Sequence, residues 1–281
     1  MSGRWQRALA RALREAAVLP IRALNPAQRA AALAKLQGEM ITNVDTPNGI
    51  LHFVTSTPLL QSRAHSALSK EPDTIRWIDT FHPSDVLWDI GANVGVFSLY
   101  AAQRKKVRVV AFEPSADNFA ALCQNVHINA LAEWIVPYCL AFAGKTELGI
   151  LNSASRDVGA ALHHFGMRGE MSRFWTNNDG ICAQGMIGYT VDDFIRDFDP
   201  PFPTHFKLDV DGLEESILAG AEQTFRDRRL QSLMVELTMS HSAERQRAIE
   251  QLFGAGFELY MEGAVQESGG ETAANHFFRR R

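Results

Sequence analysis

The most constraining feature of the sequence is a regular alternation, from Val86 onward, of short apolar runs with segments of helical periodicity. The apolar runs read DVLWDI, VRVVAFE, WIVPYCLA, HFKLDV and LQSLMVEL. Helical patterns occupy residues 94–103, 115–129, 214–226 and 242–253. Strands that alternate with helices indicate βαβ units, so we predict an α/β fold with a mostly parallel sheet and helices on both faces. The last runs, FELYME and NHFFRRR, predict a terminal hairpin that supplies an antiparallel edge strand.

By the same patterns the chain divides into an N-terminal part, residues 1–80, and a main domain, residues 81–281. The first part is predicted to be a helical extension and cap, with a β-hairpin near residues 46–56 where Asn48-Gly49 is a turn signal. Residues 152–188 are rich in glycine, asparagine and serine and are too long for a simple connection. We predict an irregular insertion that closes over an acceptor, with Phe174 and Trp175 as its contact faces.

Cysteine content and hydropathy bear on the cellular compartment. The three cysteines are widely spaced and odd in number, which predicts neither a disulfide framework nor a zinc site. The histidines show no metal-ligand spacing, so we predict no metal site. Asp209 and Glu236, at neighbouring predicted strand ends, are the only pair that keeps a metal-dependent reaction open. No apolar run is long enough for a membrane span, and arginines interrupt the apolar part of the N-terminus. These observations favour a cytoplasmic protein.

Charge is distributed unevenly along the chain. Residues 1–36 carry seven basic side chains and one acidic one, while the rest carries 21 basic and 31 acidic side chains. At helical spacing, arginines 4, 7, 11 and 14 share one face, and Trp5, Leu9 and Leu13 share the opposite face. This basic amphipathic helix predicts contact with an anionic membrane or a partner, or packing on its own domain or in a homo-oligomer. The acidic remainder argues against a nucleic-acid substrate.

The segment VLWDIGANVGVF, residues 86–97, runs from the first predicted strand into a glycine loop. Counted from Gly91, the dinucleotide pattern G-x-G-x-x-G would need glycines where Asn93 and Val96 stand, which disfavours NAD. Gly91 and Gly95 allow a tight turn and close approach to a ligand. The carboxylate of Asp89 at the strand end would suit a cation, and S-adenosylmethionine carries an ammonium group near its sulfonium. The pattern D-x-G-x-N-x-G therefore favours that cofactor.

The second predicted strand ends in Glu113, 22 positions after Gly91, and Pro114 then begins a turn. A carboxylate at this distance is expected to accept hydrogen bonds from both ribose hydroxyls of a nucleoside cofactor. Together with the glycine loop, it strengthens the prediction of a nucleoside-binding site at the carboxyl ends of the first two strands.

These motifs occur within longer runs, KEPDTIRWIDTFHPSDVLWDIGANVGVFSLYAA, AFEPSADNFAALCQNVHINAL, LAFAGKTELGIL and FKLDVDGLEESILAGA. From about residue 45 to the end, the chain resembles the FkbM family of S-adenosylmethionine-dependent methyltransferases. The resemblance implies class I methyltransferase (Rossmann-like) topology, a seven-stranded sheet with an antiparallel last strand, and methylation of a hydroxyl on a sugar or secondary metabolite. Asp211 departs from the family, which commonly has glutamate there. The predicted cofactor-binding residues are Asp89, Gly91, Ala92, Asn93, Val94, Gly95, Glu113, Pro114, Ala141 and Asp209.

Catalysis is expected at the carboxyl end of the strand in FKLDVDG. Alternation places Lys207, Asp209 and Asp211 on one face of that strand. We nominate Asp209 as general base or cofactor-orienting group, with Lys207 and Glu236 as further catalytic candidates. A structural Lys–Asp pair is the alternative.

Three functional classes remain open from the sequence. The first is an O-methyltransferase acting on a small molecule or glycan. The second is a catalytically inactive cofactor-binding partner or scaffold protein, and the third is a nicotinamide-dependent oxidoreductase.

Overall fold

The computed structural model describes residues 15–153, 155–161, 163–167, 182–210, 212–268 and 271–281. The predicted contacts of Phe174, Trp175 and Asp211, and the arginine face of the N-terminal helix, lie outside these residues. The helices are α1 (15–22), α2 (Pro26–Glu39), α3 (Pro58–Ser66), α4 (Pro72–Ile78), α5 (Val96–Lys105), α6 (Ala116–Ile128), α7 (Val191–Phe198), α8 (Glu214–Ala219), α9 (Glu222–Arg226) and α10 (Ser242–Gly254). Among the residues described, no helix combines the length and apolarity needed to cross a bilayer.

The strands fall into a hairpin, a central sheet and a side sheet. They are β1 (Ile41–Thr46), β2 (Gly49–Val54), β3 (Val86–Ile90), β4 (Arg108–Phe112), β5 (Ile135–Tyr138), β6 (Ala141–Phe142), β7 (Glu147–Ser153), β8 (His164–Gly166), β9 (Cys182–Tyr189), β10 (His205–Leu208), β11 (Ser232–Thr238), β12 (Phe257–Glu262), β13 (Gln266–Ser268) and β14 (Glu271–Arg280).

The central sheet has the strand order β12-β14-β11-β10-β3-β4-β5, with the short β13 paired to β14. Strands β5, β4, β3, β10 and β11 are parallel, and β14 runs antiparallel to both of its neighbours. The predicted α/β class and antiparallel last strand are confirmed. The edge strand at that end of the sheet, however, is β12, because β14 lies between β11 and β12.

Both faces of the sheet are covered, which explains why its strands read as nearly continuous apolar runs. Successive residues of β3 point to opposite sides: Leu87 packs in a core with α5 and α6, while Trp88 packs in a core with α7 to α10. Both side chains are completely buried. Because β3, β4, β10 and β11 are parallel, their carboxyl ends meet at one edge of the sheet.

The N-terminal cap is integrated into the main domain. The predicted hairpin is confirmed as β1–β2, and its first strand begins already at Ile41. Leu51 and Phe53 of β2 and Trp77 of α4 belong to the core that also contains Leu87. The side-chain amide oxygen of Asn125 in α6 accepts the Val54 N–H at 2.8 Å. Residues on the two sides of position 80 thus share one core.

The insertion is more regular than predicted. Its described parts supply β8 and nearly all of β9 to a side sheet of order β6-β9-β7-β8, whose strands β6 and β7 begin before residue 152. In this sheet β7 and β9 pair antiparallel. Gly149 and Gly188 make room for the ring of Phe165, since a Cβ on either glycine would lie 2.5 Å from that ring. Gly188, one of the small residues that suggested a loop, therefore packs against an aromatic side chain inside a sheet.

A buried histidine connects the cap to the amino end of β10. The ring of His205 stacks on Phe81 with 3.7 Å between the centroids, its Nδ1 lies 2.7 Å from Ser232 Oγ, and its Nε2 lies 2.9 Å from Asp85 Oδ2. Trp77 Nε1 donates to the same Ser232 hydroxyl at 2.9 Å. Burial lowers the pKa of His205, although Asp85 opposes the shift.

We expect protonation of this histidine to lower the free energy of unfolding as the pH falls. A native pKa below the usual 6.5 means that the unfolded chain takes up the proton first, so stability is lost as pH falls below 6.5 towards the native value. Burial also lowers the pKa of His163 and His276, which act in the same direction. In denaturant titrations between pH 7.5 and 5.5, the His205→Asn variant should show a shallower dependence of the unfolding free energy on pH. An unchanged slope would contradict this assignment.

Candidate active site

The loop after β3 has left-handed backbone angles, which glycine and asparagine tolerate best. Gly91, Asn93 and Gly95 all have positive φ, at 80°, 50° and 89°. The N–H groups of Gly91 and Ala92 both donate to the carbonyl oxygen of Phe112 at 3.0 Å. A Cβ on Gly91 would lie 1.8 Å from the carbonyl oxygen of Asp209. The glycine is therefore needed both for its conformation and for close contact between the ends of β3 and β10.

Glu113 joins this loop to the turn after β4. One carboxylate oxygen accepts the Asn93 N–H at 2.8 Å, and the other accepts the Ser115 N–H at 2.9 Å. The residue is only 3% exposed, and it lines the pocket above the sheet. Asn118 Nδ2 donates a longer bond of 3.4 Å to the oxygen that binds the Ser115 N–H, so the carboxylate is fixed in place at the pocket wall.

Asp89 lies beneath the loop and is completely buried. Its Oδ2 accepts from the Ser98 hydroxyl at 2.6 Å, and its Oδ1 lies 3.4 Å from Lys207 Nζ. Within the described part of the chain, Oδ1 accepts no hydrogen bond. The cation that Asp89 faces is therefore the Lys207 ammonium, directly opposite in the register of β3 and β10.

Lys207 is the centre of a buried charge cluster, with side-chain exposure of 1%. Its Nζ lies 3.2 Å from Asp209 Oδ2. Burial alone would lower the pKa of Lys207, but Asp209, Asp89 and Glu71 together raise it above its usual range. A permanently charged ammonium has no lone pair to accept a proton. The predicted role of Lys207 as a candidate base does not fit this geometry, and the predicted alternative of a structural Lys–Asp pair does.

Asp209 follows β10, and Glu236 lies in the neighbouring parallel strand β11. Burial would raise the pKa of Asp209, but Lys207, with a smaller contribution from Glu236, outweighs it and holds that pKa below its usual range. Asp209 is already engaged with Lys207, whose Nζ lies 3.2 Å from its Oδ2.

Sequence reasoning did not single out Glu71, the residue before α4. It is 7% exposed and lines the same pocket as Lys207 and Asp209. Burial and the charge of Asp209 raise its pKa, against the opposing effect of Lys207. Glu71 lies within the KEPDT stretch of the family resemblance, but no spacing rule connects it to residues more than 130 positions away.

One pocket brings together most of the predicted site. Its lining includes these predicted residues: Gly91, Ala92, Asn93, Val94, Glu113, Pro114, Ala141, Lys207, Asp209 and Glu236. Asp89 and Gly95 are not in the lining and support it from behind. Phe112, Leu140 and Phe142 add apolar surface, and the insertion contributes His163, whose Nδ1 lies 2.6 Å from Ser153 Oγ.

The pocket fits S-adenosylmethionine in four respects. The glycine loop lines the pocket with residues 91–94, and Glu113 places a carboxylate at the carboxyl end of β4, where ribose hydroxyls are expected. Apolar residues beside Pro114 suit a nucleobase, and the carboxylates beyond β10 suit a positively charged group. The sheet order with an antiparallel strand inserted at β14, together with this site, defines a class I methyltransferase fold.

Residues 89–259 match the model of the methyltransferase FkbM domain, and the chain belongs to the FkbM methyltransferase family, whose cofactor is S-adenosylmethionine. It is 26% identical over 155 residues to hexuronic acid methyltransferase AglP of Haloferax volcanii, a match that covers 54% of this chain and 57% of that protein. Methyltransferase FkbM from Methylobacillus flagellatus is 17% identical, covers 78% of this chain and 53% of that one, and superposes with a TM-score of 0.45. Precorrin-6y C5,15-methyltransferase from Geobacter metallireducens is 13% identical, with 82% and 93% covered and a TM-score of 0.46.

Proposed function

We propose that the protein transfers a methyl group from S-adenosylmethionine to a hydroxyl of a sugar, glycan or secondary metabolite, with a hexuronic acid as the first acceptor to test. The observation that carries this proposal is the single pocket that combines the glycine loop, Glu113 and the carboxylates beyond β10. The name of the Haloferax relative supports a sugar acid as acceptor. The excess of acidic over basic residues after position 36 argues against a nucleic-acid acceptor. The three cysteines are not joined in disulfides, which supports a cytoplasmic location.

In this proposal each part of the pocket has a separate task. The cofactor supplies an electrophilic methyl group on a positively charged sulfur. The glycine loop and Glu113 hold its amino-acid and ribose parts, while the carboxylates near Lys207 balance positive charge. Alignment of the acceptor oxygen with the methyl carbon supplies most of the acceleration, on the order of 7–11 kcal/mol.

We expect Glu113→Gln to weaken S-adenosylhomocysteine binding about 10- to 100-fold, because hydrogen bonds to a charged group contribute roughly 1.5–3 kcal/mol. Isothermal titration calorimetry measures this directly, and Glu133→Gln, on an exposed residue before β5, is the matched control. NAD should give no binding heat. Transfer of labelled methyl groups should occur to a panel containing glucuronosides and glucosides. Unchanged affinity in Glu113→Gln, or no transfer to any member of the panel, would refute the proposal.

A further inference from the structure

One oxygen of the Glu71 carboxylate accepts two hydrogen bonds. Its Oε2 accepts from Asn275 Nδ2 at 2.9 Å and from Thr74 Oγ1 at 3.1 Å. Asn275 lies directly opposite Glu236 in the register of β14 and β11. The central sheet therefore positions a side chain that belongs to the N-terminal cap.

The second oxygen of Glu71 has a different environment. Oε1 lies 3.7 Å from the ammonium of Lys70, whose side chain is 58% exposed. Because Glu71 lines the pocket and Oε2 is already engaged, Oε1 is the oxygen that an incoming hydroxyl would meet.

Asp209, the base nominated from the sequence, is less suited to take a proton. It is bound to the Lys207 ammonium at 3.2 Å, and that charge holds the pKa of Asp209 below its usual range. Accepting a proton would remove the charge that stabilises a buried cation. Both acids line the pocket, but Asp209 neutralises Lys207, which leaves Glu71 as the acid that can take a proton.

We infer that Glu71 is the general base that takes the proton of the acceptor hydroxyl during methyl transfer, an inference that rests on the function proposed above. The acceptor oxygen gives its proton to Glu71 Oε1 and forms the new bond to the methyl carbon. The bond between that carbon and sulfur breaks, and its electron pair stays on sulfur. The positive charge on sulfur is lost as one proton is gained by Glu71, so charge and atoms balance. Thr74 and Asn275 are positioning residues for Glu71.

The electrostatic surroundings of Glu71 agree with this role. Burial and Asp209 raise its pKa, while Lys207, Lys70 and the Asn275 amide oppose that shift without cancelling it. Asp209, in contrast, has a lowered pKa. A base works best when its pKa approaches the working pH, so Glu71 is the stronger proton acceptor of the two.

The first test compares Glu71→Gln with Asp73→Asn, which removes a carboxylate paired with Arg76 on the same helix. For the glucuronoside or glucoside that the parent methylates, Glu71→Gln should lower kcat about 100- to 10,000-fold. S-adenosylhomocysteine affinity should stay within about threefold, which also shows that the pocket is folded, and Asp73→Asn should behave like the parent. If Glu71→Gln keeps a third or more of kcat, the role of Glu71 is overturned while the proposed function stands. If the parent transfers no methyl group, both fail.

The second test uses pH, to which a purely structural role of Glu71 would not respond. In the parent, kcat/KM should fall on the acid side as Glu71 takes up a proton, with a midpoint above the ordinary 4.5. Glu71→Gln should lose this acid limb. Asn275→Ala removes a donor that lowers the pKa of Glu71, so it should move the limb to higher pH. An acid limb that is identical in all three proteins would overturn the inference.

Discussion

Replacement of Lys207 by methionine is expected to lower the free energy of unfolding by about 3–5 kcal/mol, because it leaves buried carboxylates without their counter-ion. Asp89 and Asp209 lie 3.4 and 3.2 Å from the ammonium, and Asp89 is completely buried. Urea titration of the purified variant measures the effect. A second substitution, Asp89→Asn, should recover roughly 0.5–3 kcal/mol by removing one of the unpaired charges.

Arg247→Met is the control for this experiment. Arg247 pairs with Glu215 across the surface, and the two side chains are 57% and 38% exposed. Exposed pairs contribute about 0–1 kcal/mol, so this variant should unfold nearly like the parent. Equal effects of the two substitutions would mean that the Lys207 cluster is not a stabilising network of paired charges.

The second large effect is expected from Gly91→Ala. An alanine there would have to adopt a φ of 80° and place its Cβ 1.8 Å from the Asp209 carbonyl oxygen. Strain and displacement of β10 together should cost roughly 3–5 kcal/mol of unfolding free energy. Because the loop and Asp209 move apart, S-adenosylhomocysteine binding should also be lost at concentrations that saturate the parent.

Gly38→Ala is the matched substitution for comparison. Gly38 lies in α2, has no positive φ, and has no atom within 4 Å of a built Cβ. Alanine is favoured over glycine in a helix by about 0.5–1 kcal/mol, so this variant should be as stable as the parent or slightly more so. A Gly91→Ala protein with the stability and affinity of Gly38→Ala would refute the steric argument.

The parallel part of the sheet could be predicted because its strands are buried on both faces and therefore have little polar alternation. The positions of Glu113 and Asp209 followed from the rule that strand ends converge on one edge of such a sheet. The position of β14 was harder, since β12 and β14 both have the composition of an edge strand. Only the pairing of β14 with both β11 and β12 decides between them.

The position of Glu71 in the pocket could not be predicted from the sequence for a physical reason. Its partner Asn275 is 204 positions away, and the two meet only after the cap has packed on the finished sheet. The sequence likewise did not show that Lys207 is the partner of Asp89, because only the register of β3 and β10 in the folded sheet places the two residues opposite each other. Motifs within one strand and loop are local, whereas charge compensation depends on the whole fold.

The position of β14 between β11 and β12 has a practical consequence for fragments of this protein. The family match ends at residue 259, before β14 begins, and starts at residue 89, after the hairpin whose Leu51 and Phe53 are buried. A fragment cut at those limits would split β11 from β12 and uncover an apolar flank, which promotes aggregation. Shortened versions for crystallisation or isotope labelling should therefore begin before β1 and retain the chain through β14.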